Sequence, residues 1–271
     1  MSERAGSSLL TPTEAVFAPV RSQTAFEETV ERLGTAIKLG LLPAGSRLPA
    51  ERELCARLGI ARSTLRQALT ALTQSGHVFA TRGRGGGTFV ADPQPPAVPP
   101  SPEVLAEWRE ICDQRLAIEL GVAVLAAQRA EAADLDRLET IVAALDGQLD
   151  DFPAYRQSDT LLHVGLAEAA GSARLLSAMT EMQGAMTDLI AYIAHPPEVL
   201  ASSNAQHRRL LAAVRERDAA RAAQVVTEHL QGTEHIIAAA AVFLASDESS
   251  FVTATTLLVD GGISGAYTTP L

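Results

Sequence analysis

Residues 48–69, Leu-Pro-Ala-Glu-Arg-Glu-Leu-Cys-Ala-Arg-Leu-Gly-Ile-Ala-Arg-Ser-Thr-Leu-Arg-Gln-Ala-Leu, read as two short helices around a tight turn. The first covers about residues 50–58 and sets Leu54 and Leu58 four apart on one apolar face. Gly59 closes it, because a helix often ends on a residue with positive φ and glycine adopts that conformation without steric penalty. Ile60 packs the turn. The second helix turns Leu65, Ala68, Leu69 and Leu72 inward and leaves Arg62, Ser63 and Arg66 at its exposed start. That is the pattern of a helix-turn-helix, whose second helix presents its N-terminal residues to the major groove of DNA.

Outward from there, residues 76–81 and 88–90 alternate like short strands. Arg82-Gly83-Arg84-Gly85-Gly86-Gly87 joins them, a loop without bulk and with two positive charges. This fits the wing of a winged helix, which can lie on the DNA backbone or in the minor groove. The glycines are not a dinucleotide-binding fingerprint, which needs a helix after the loop; here a strand follows. The stretch from about Phe26 to Val90 resembles the N-terminal domain of GntR-superfamily bacterial repressors. The resemblance rests on Ile37-Lys38-Leu39-Gly40, Pro43 to Pro49, Glu51-Arg52-Glu53-Leu54, Leu58 to Arg62, Leu65 to Leu69 and the Gly-Arg-Gly wing. It implies that Arg52, Arg62, Arg66 and Gly83 touch double-stranded operator DNA. Arg62 and Arg66 are one helical turn apart, so both can face base edges, where arginine–guanine pairing is the commonest specific contact. Ser63 and Thr64 suit phosphates, and Arg82 and Arg84 belong to the wing. Ala61 stands where that family usually carries Ser or Thr, which removes one side-chain cap.

The charge divides along the chain. Residues 1–92 hold 11 Lys+Arg against 8 Asp+Glu, and residues 93–271 hold 11 against 24. The overall charge of −10 therefore conceals a basic portion suited to nucleic acid and an acidic portion with another task. No apolar run reaches transmembrane length, and no charged start with an apolar signal core opens the chain. Cys55 and Cys112 are too few and too far apart for a disulfide framework. These features predict a cytoplasmic chain with no membrane partner.

Residues 92–102, Asp-Pro-Gln-Pro-Pro-Ala-Val-Pro-Pro-Ser-Pro, mark the clearest boundary, because so many prolines make a semi-rigid extended linker. The predicted organisation is a leader at 1–20, a winged helix at 21–92, a linker at 93–102, a helical domain at 103–235 and a tail at 236–271. Helices are expected near 103–130, 132–151, 154–170, 173–195, 198–217 and 219–245, punctuated by Pro153, Gly171 and Pro196-Pro197. The fold class is mainly α: a winged helix-turn-helix followed by an antiparallel helical bundle, then a tail with one strand.

Within the bundle, Asp159 and His163 are four apart and share a helix face, while His207 and His229 lie on two later helices. One carboxylate and three imidazoles can hold zinc, nickel or manganese. Spacing across helices leaves the ordinary alternative open, that each histidine is a hydrogen-bonded core residue. Residues 103–235 resemble the FCD domain, the effector domain of the FadR-like branch of GntR regulators. The signatures are Arg115-Leu-Ala-Ile-Glu119, Asp159-Thr-Leu-Leu-His163, His207 to Val214 and Glu228-His229-Leu230. That resemblance implies a divalent metal on Asp159, His163, His207 and His229, and a small organic acid effector bound beside it with help from Arg115. A homodimer is expected, its two recognition helices entering neighbouring major grooves of a short pseudo-palindrome.

The tail is different. Residues 240–262 resemble the C-terminus of short-chain dehydrogenases, with Ala254 where that family usually has Gly. No Gly-x3-Gly-x-Gly cofactor loop occurs, and none of Tyr155, Tyr192 or Tyr267 is followed four residues later by lysine. The expectation is a fused fragment, without catalytic capacity, whose strand has no sheet to join. Three function classes follow: a metabolite-responsive DNA-binding repressor that is not an enzyme, a helical metal-binding or interaction protein, and, least supported, an oxidoreductase.

Overall fold

The computed structural model of the chain describes residues 24–92, 108–190, 193–194, 196–244 and 257–258. The predicted leader at 1–20 and the Pro-rich linker at 93–102 lie outside these residues. The first element is α1 (Ala25–Lys38), for which the sequence reading gives no assignment. Its cause is local: Thr24 accepts from the Glu27 amide, and the Glu27 carboxylate takes the Thr24 amide in return, a complete capping box. Then come α2 (Glu51–Leu58), one residue shorter than the expected helix, and α3 (Arg62–Gln74), which starts at the expected Arg62. Gly59 ends α2 at φ 67°, as its sequence position predicts.

Strands β1 (Val78–Thr81) and β2 (Gly87–Val90) pair antiparallel from Val78 opposite Val90 to Thr81 opposite Gly87. Arg47 pins this wing by donating to the Gly86 carbonyl at 2.6 Å. Leu33, Ile37, Leu48, Leu54, Leu65, Leu69, Leu72, Val78 and Val90 form one small apolar core under all these elements.

The second body contains α4 (Trp108–Arg129), α5 (Ala132–Leu145), α6 (Phe152–Ala169), α7 (Ala173–Ile190), α8 (Pro197–Arg215) and α9 (Ala219–Leu244). A short 3-10 turn, Asp146–Gln148, ends the second of these earlier than the expected residue 151. Helix α4 is central, packing against α6, α7, α8 and α9. Buried Ala123, Ala126 and Ala127 keep its sides narrow enough for that.

Two expectations need correction. The helix expected to reach residue 195 stops at Ile190, and Ile193–Ala194 form β3. The tail does have a strand partner: β4 (Leu257–Leu258) pairs parallel with β3. The described residues contain no helix long and apolar enough to cross a membrane.

The winged helix rests directly on the bundle. Helix α1 packs on α7, Lys38 pairs with Asp188 at 2.8 Å, and Gly184 faces Thr35. Gly40, at φ 70°, lies against Gln157 of α6 so closely that a Cβ would overlap its amide.

Leu65 is fully buried in the small N-terminal core. Leu65→Ala should cost about 2–5 kcal/mol, the usual penalty for removing a buried leucine side chain. Thermal unfolding followed by circular dichroism checks this, with a lower midpoint as the expected result.

Candidate DNA interface and buried histidine site

The start of α3 forms the candidate DNA-reading end. Ala61 is its N-cap in extended conformation and makes no side-chain cap hydrogen bond, and the first turn contains no acidic residue. The first-turn amides and the positive end of the helix dipole are therefore left to an anion such as a DNA phosphate. Arg62 and Ser63 are exposed there and Thr64 is half-buried. Arg66 is exposed one turn on, but its Nε donates to Glu51 Oε2 at 3.0 Å, so it must leave that partner to reach a base. Arg52 is exposed on α2, and Arg82, Gly83 and Arg84 are exposed at the wing tip. Gly83 sits at φ 100°, a conformation that L side chains avoid. All eight predicted DNA-facing positions thus lie on the helix-turn-helix or the wing, and seven are exposed.

The second site is in the centre of the bundle. His163 of α6, His207 of α8 and His229 of α9 converge, with one ligand atom from each lying within 4.8 Å of the others. All three are buried. Asp159 joins them through Oδ1, 3.4 Å from His207 Nε2 and 3.7 Å from His163 Nε2. The i, i+4 spacing of Asp159 and His163 accounts for their shared face.

Partners on the far side of the rings set which nitrogens face inward. His163 Nδ1 meets Glu119 Oε2 at 2.7 Å, and His229 Nδ1 meets Gln206 Oε1 at 3.0 Å. His163 Nε2 and both ring nitrogens of His207 are buried with no hydrogen-bond partner. Buried polar atoms without partners are rare and call for a ligand. The donor set, imidazole nitrogens and a carboxylate oxygen, suits a borderline divalent ion.

Two buried arginines flank the histidines. Arg115 of α4 is engaged through Nε, which donates to Glu119 Oε1 at 2.8 Å. Arg156 of α6 is committed more fully: to Asp159 Oδ2 at 2.6 Å, to the Gln183 carbonyl and Oε1, and to Thr187 Oγ1. Sequence reasoning names Arg115 and passes over Glu119, Arg156 and Gln183 as site residues. Signals for two of them exist: Glu119 is four residues after Arg115, and Arg156 is three before Asp159, both same-face spacings.

The electrostatics separate the histidines. Burial works against charge on His163, but the Glu119 and Asp159 carboxylates overcome it and lift the ring to about 9. Burial lowers His207 to about 4, against the pull of Asp159, and drives His229 well below its ordinary value with help from His207 and His163. Burial would raise the two acids, yet His163 and its fellow cations hold both Glu119 and Asp159 low.

A basic winged helix joined to an acidic helical body is the organisation of a DNA-binding transcriptional regulator. Family models agree. Bacterial regulatory proteins of the gntR family match residues 26–90, the FCD domain matches residues 110–232, and enoyl-(acyl carrier protein) reductase matches residues 201–264. The last is a partial match whose first part runs over α8 and α9 of the bundle.

The chain is 38% identical over 217 residues to the HTH-type transcriptional regulator RmpR of Mycobacterium gastri, covering 74% of this chain and 76% of that one. It is 30% identical over 220 residues to the L-lactate dehydrogenase operon regulatory protein of Escherichia coli, covering 75% and 83%. The solved structure of E. coli McbR/YncC superposes with TM-score 0.52 at 18% identity, covering 81% of this chain and 99% of that one, which speaks to the fold. The chain belongs to the GntR family of bacterial transcriptional regulators and carries the FCD effector domain.

In chelator, stability should peak near neutral pH. His207 and His229 have lowered values in the fold, so as pH falls below about 6.5 the unfolded chain takes up protons that the fold refuses, and stability drops. His163 is raised, so its contribution is complete below about 6.5 and is lost as pH climbs through 9. Melting temperature against pH tests this. His207→Ala should flatten the acid limb.

Proposed function

We propose that this regulator is a homodimeric cytoplasmic repressor released from its operator by a small carboxylic acid. The acid binds at a divalent metal held by Asp159, His163, His207 and His229. The observation that carries this reading is the buried cluster of imidazole nitrogens without partners, two of its rings oriented by Glu119 and Gln206. Second-sphere partners of this kind orient metal-ligating histidines and raise their basicity. When bound, the metal supplies a concentrated positive charge that attracts a carboxylate.

Arg115 supplies the second contact to the acid. Its Nε is held by Glu119, an engagement that spares the two terminal nitrogens for a bidentate carboxylate contact. Arg156 is unsuited to that role because both ends of its fork are taken up by Asp159, Gln183 and Thr187. The E. coli relative is named for regulating an operon of an enzyme that acts on a short hydroxy acid, in keeping with an effector of this class.

On DNA, Arg62 and Arg66 read base edges, Ser63 and Thr64 take phosphates, and Arg52, Arg82, Gly83 and Arg84 contact backbone or minor groove. Two protomers place α3 in neighbouring major grooves of a pseudo-palindrome. The zinc, nickel or manganese ion is a resident cofactor, and the tail contributes no catalysis.

Metal content by elemental analysis tests the site. Protein purified without added metal should contain about one divalent ion per chain, and His207→Ala should lose most of it; an unchanged content in the variant refutes the ligand set. Occupancy should also fall as pH drops through the histidine range, since only neutral imidazole ligates.

Gel-shift titration tests the DNA contacts. Arg62→Ala and Arg66→Ala should each cost about 1–3 kcal/mol and relax base preference, while Arg84→Ala weakens binding to all sequences alike. Arg115→Ala should bind operator normally and lose release by small carboxylic acids.

A further inference from the structure

The histidine site lies on α6, α8 and α9, whereas the DNA-binding body touches α6 at Gly40–Gln157 and packs its helix α1 on α7, which contributes no candidate ligand. A change at the site that is to reach α1 where it packs must therefore cross to α7. One residue makes that crossing from both sides. Gln183 is fully buried, and its side-chain oxygen accepts from Arg156 Nη2 at 2.7 Å, the same guanidinium that donates to Asp159 Oδ2. Its amide nitrogen donates to Glu119 Oε1 at 3.2 Å, and the other oxygen of that carboxylate holds His163. Both ends of one amide are thus tied to the two acids that face the histidines.

Immediately after Gln183, α7 meets the DNA-binding body. Gly184 faces Thr35 closely: a Cβ would lie 3.0 Å from Thr35 Cγ2, so the threonine would have to give way. One turn on, Asp188 holds Lys38, the only lysine in the chain. Thr187, between these contacts and the site, accepts from Arg156 Nε and Nη2. Residues 183–188 are one and a half helical turns, a rigid lever with the site on one side and α1 on the other.

We propose that Gln183 is a positioning residue that couples the His163–His207–His229 site to the DNA-binding body, by linking the Arg156–Asp159 and Glu119–His163 pairs to the α7 segment that carries Thr35 and Lys38 of α1. This rests on the metal reading of the preceding subsection. Metal or acid that draws Asp159 or His163 inward shifts the partners of Gln183, and the amide cannot keep both hydrogen bonds without moving α7. Coupling through a contiguous network requires such an element that both sites bias.

The test uses the full chain and zinc alone, with hydrogen exchange read in peptides covering residues 30–40 and 180–190. In the wild type, zinc should slow exchange in both segments, by about ten-fold. Gln183→Met keeps the side-chain volume and touches none of the ligands. It should bind zinc within a few-fold of wild type, yet lose zinc-dependent protection of residues 30–40. Lys38→Met, an exposed change that leaves the core intact, should keep protection of residues 180–190 and lose that of 30–40.

If Gln183→Met binds zinc and retains the full effect at residues 30–40, the role of Gln183 is wrong. If that variant does not fold, Lys38→Met decides: undiminished protection of residues 30–40 refutes the α7 route, and its loss supports it. A wild type that holds zinc but shows no change in either segment also refutes the coupling. A wild type that binds no zinc overturns the metal site itself, which is a separate and recognisable result.

Discussion

Two buried ion pairs, Arg115–Glu119 and Arg156–Asp159, are the constraint around which the helical body is built. Their side chains are nearly inaccessible, at 6% and 2% exposure for the first pair and 9% and 11% for the second. An isolated charge at such a depth costs several kcal/mol, so neither arginine can be buried unless its acid is buried with it. Each pair lies within one helix, the first in α4 and the second in α6, and the further bonds of Arg156 to Gln183 and Thr187 join α6 to α7. Apolar residues of similar size often stabilise a core as well as such pairs do. The acids here have a second use, because Glu119 and Asp159 also face His163. Core and site are a single network, and its polar cost falls on a body already rich in buried leucine, alanine and methionine.

The same network explains what sequence could and could not reveal. Helices α2 and α3 are legible because their apolar spacing and Gly59 are local signals, and so is the wing, whose strands lie only a few residues apart. The capping box at Thr24 and Glu27 is equally local, and α1 could have been read from it. In the bundle, Asp159 and His163 share a face by spacing alone. Their meeting with His207 and His229 depends on how α6, α8 and α9 cross, which no spacing encodes; only resemblance brings them together in the sequence. Arg115 and Glu119 occupy a stripe with Cys112, Val122 and Ala126 that is otherwise apolar and buried. Charges in a core stripe are the sequence mark of a polar centre. Gln183, set among buried Met179, Met182 and Met186 on α7, is a fainter instance of the same mark.

The Pro-rich segment at 93–102 invites the view that the two bodies communicate through their tether. Under the proposed coupling, the contacts of α1 with α7 add a direct path beside it. An exposed pair such as Lys38–Asp188 contributes little stability by itself, typically below about 1 kcal/mol. The Gly184–Thr35 and Gly40–Gln157 approaches define how close the bodies can come, while the ion pair fixes their alignment. Leu41 also packs on the bundle core, so the described interface combines apolar, steric and ionic contacts, and the proposed switch would reposition these without unfolding either body.

Charge gives that repositioning leverage. The reader end is net positive, and the remainder of the chain, with 24 acidic against 11 basic residues, is strongly negative. DNA phosphates attract the first and repel the second, and at physiological salt such forces act over a screening length of about 8 Å. An arrangement that turns the acidic bundle toward the duplex therefore weakens binding even when every contact of α3 remains available. A few ångströms of movement at α1 is comparable to that screening length. Under the proposed function, the buried site would not have to unlatch the recognition helix: altering how the acidic body is held beside the DNA would suffice.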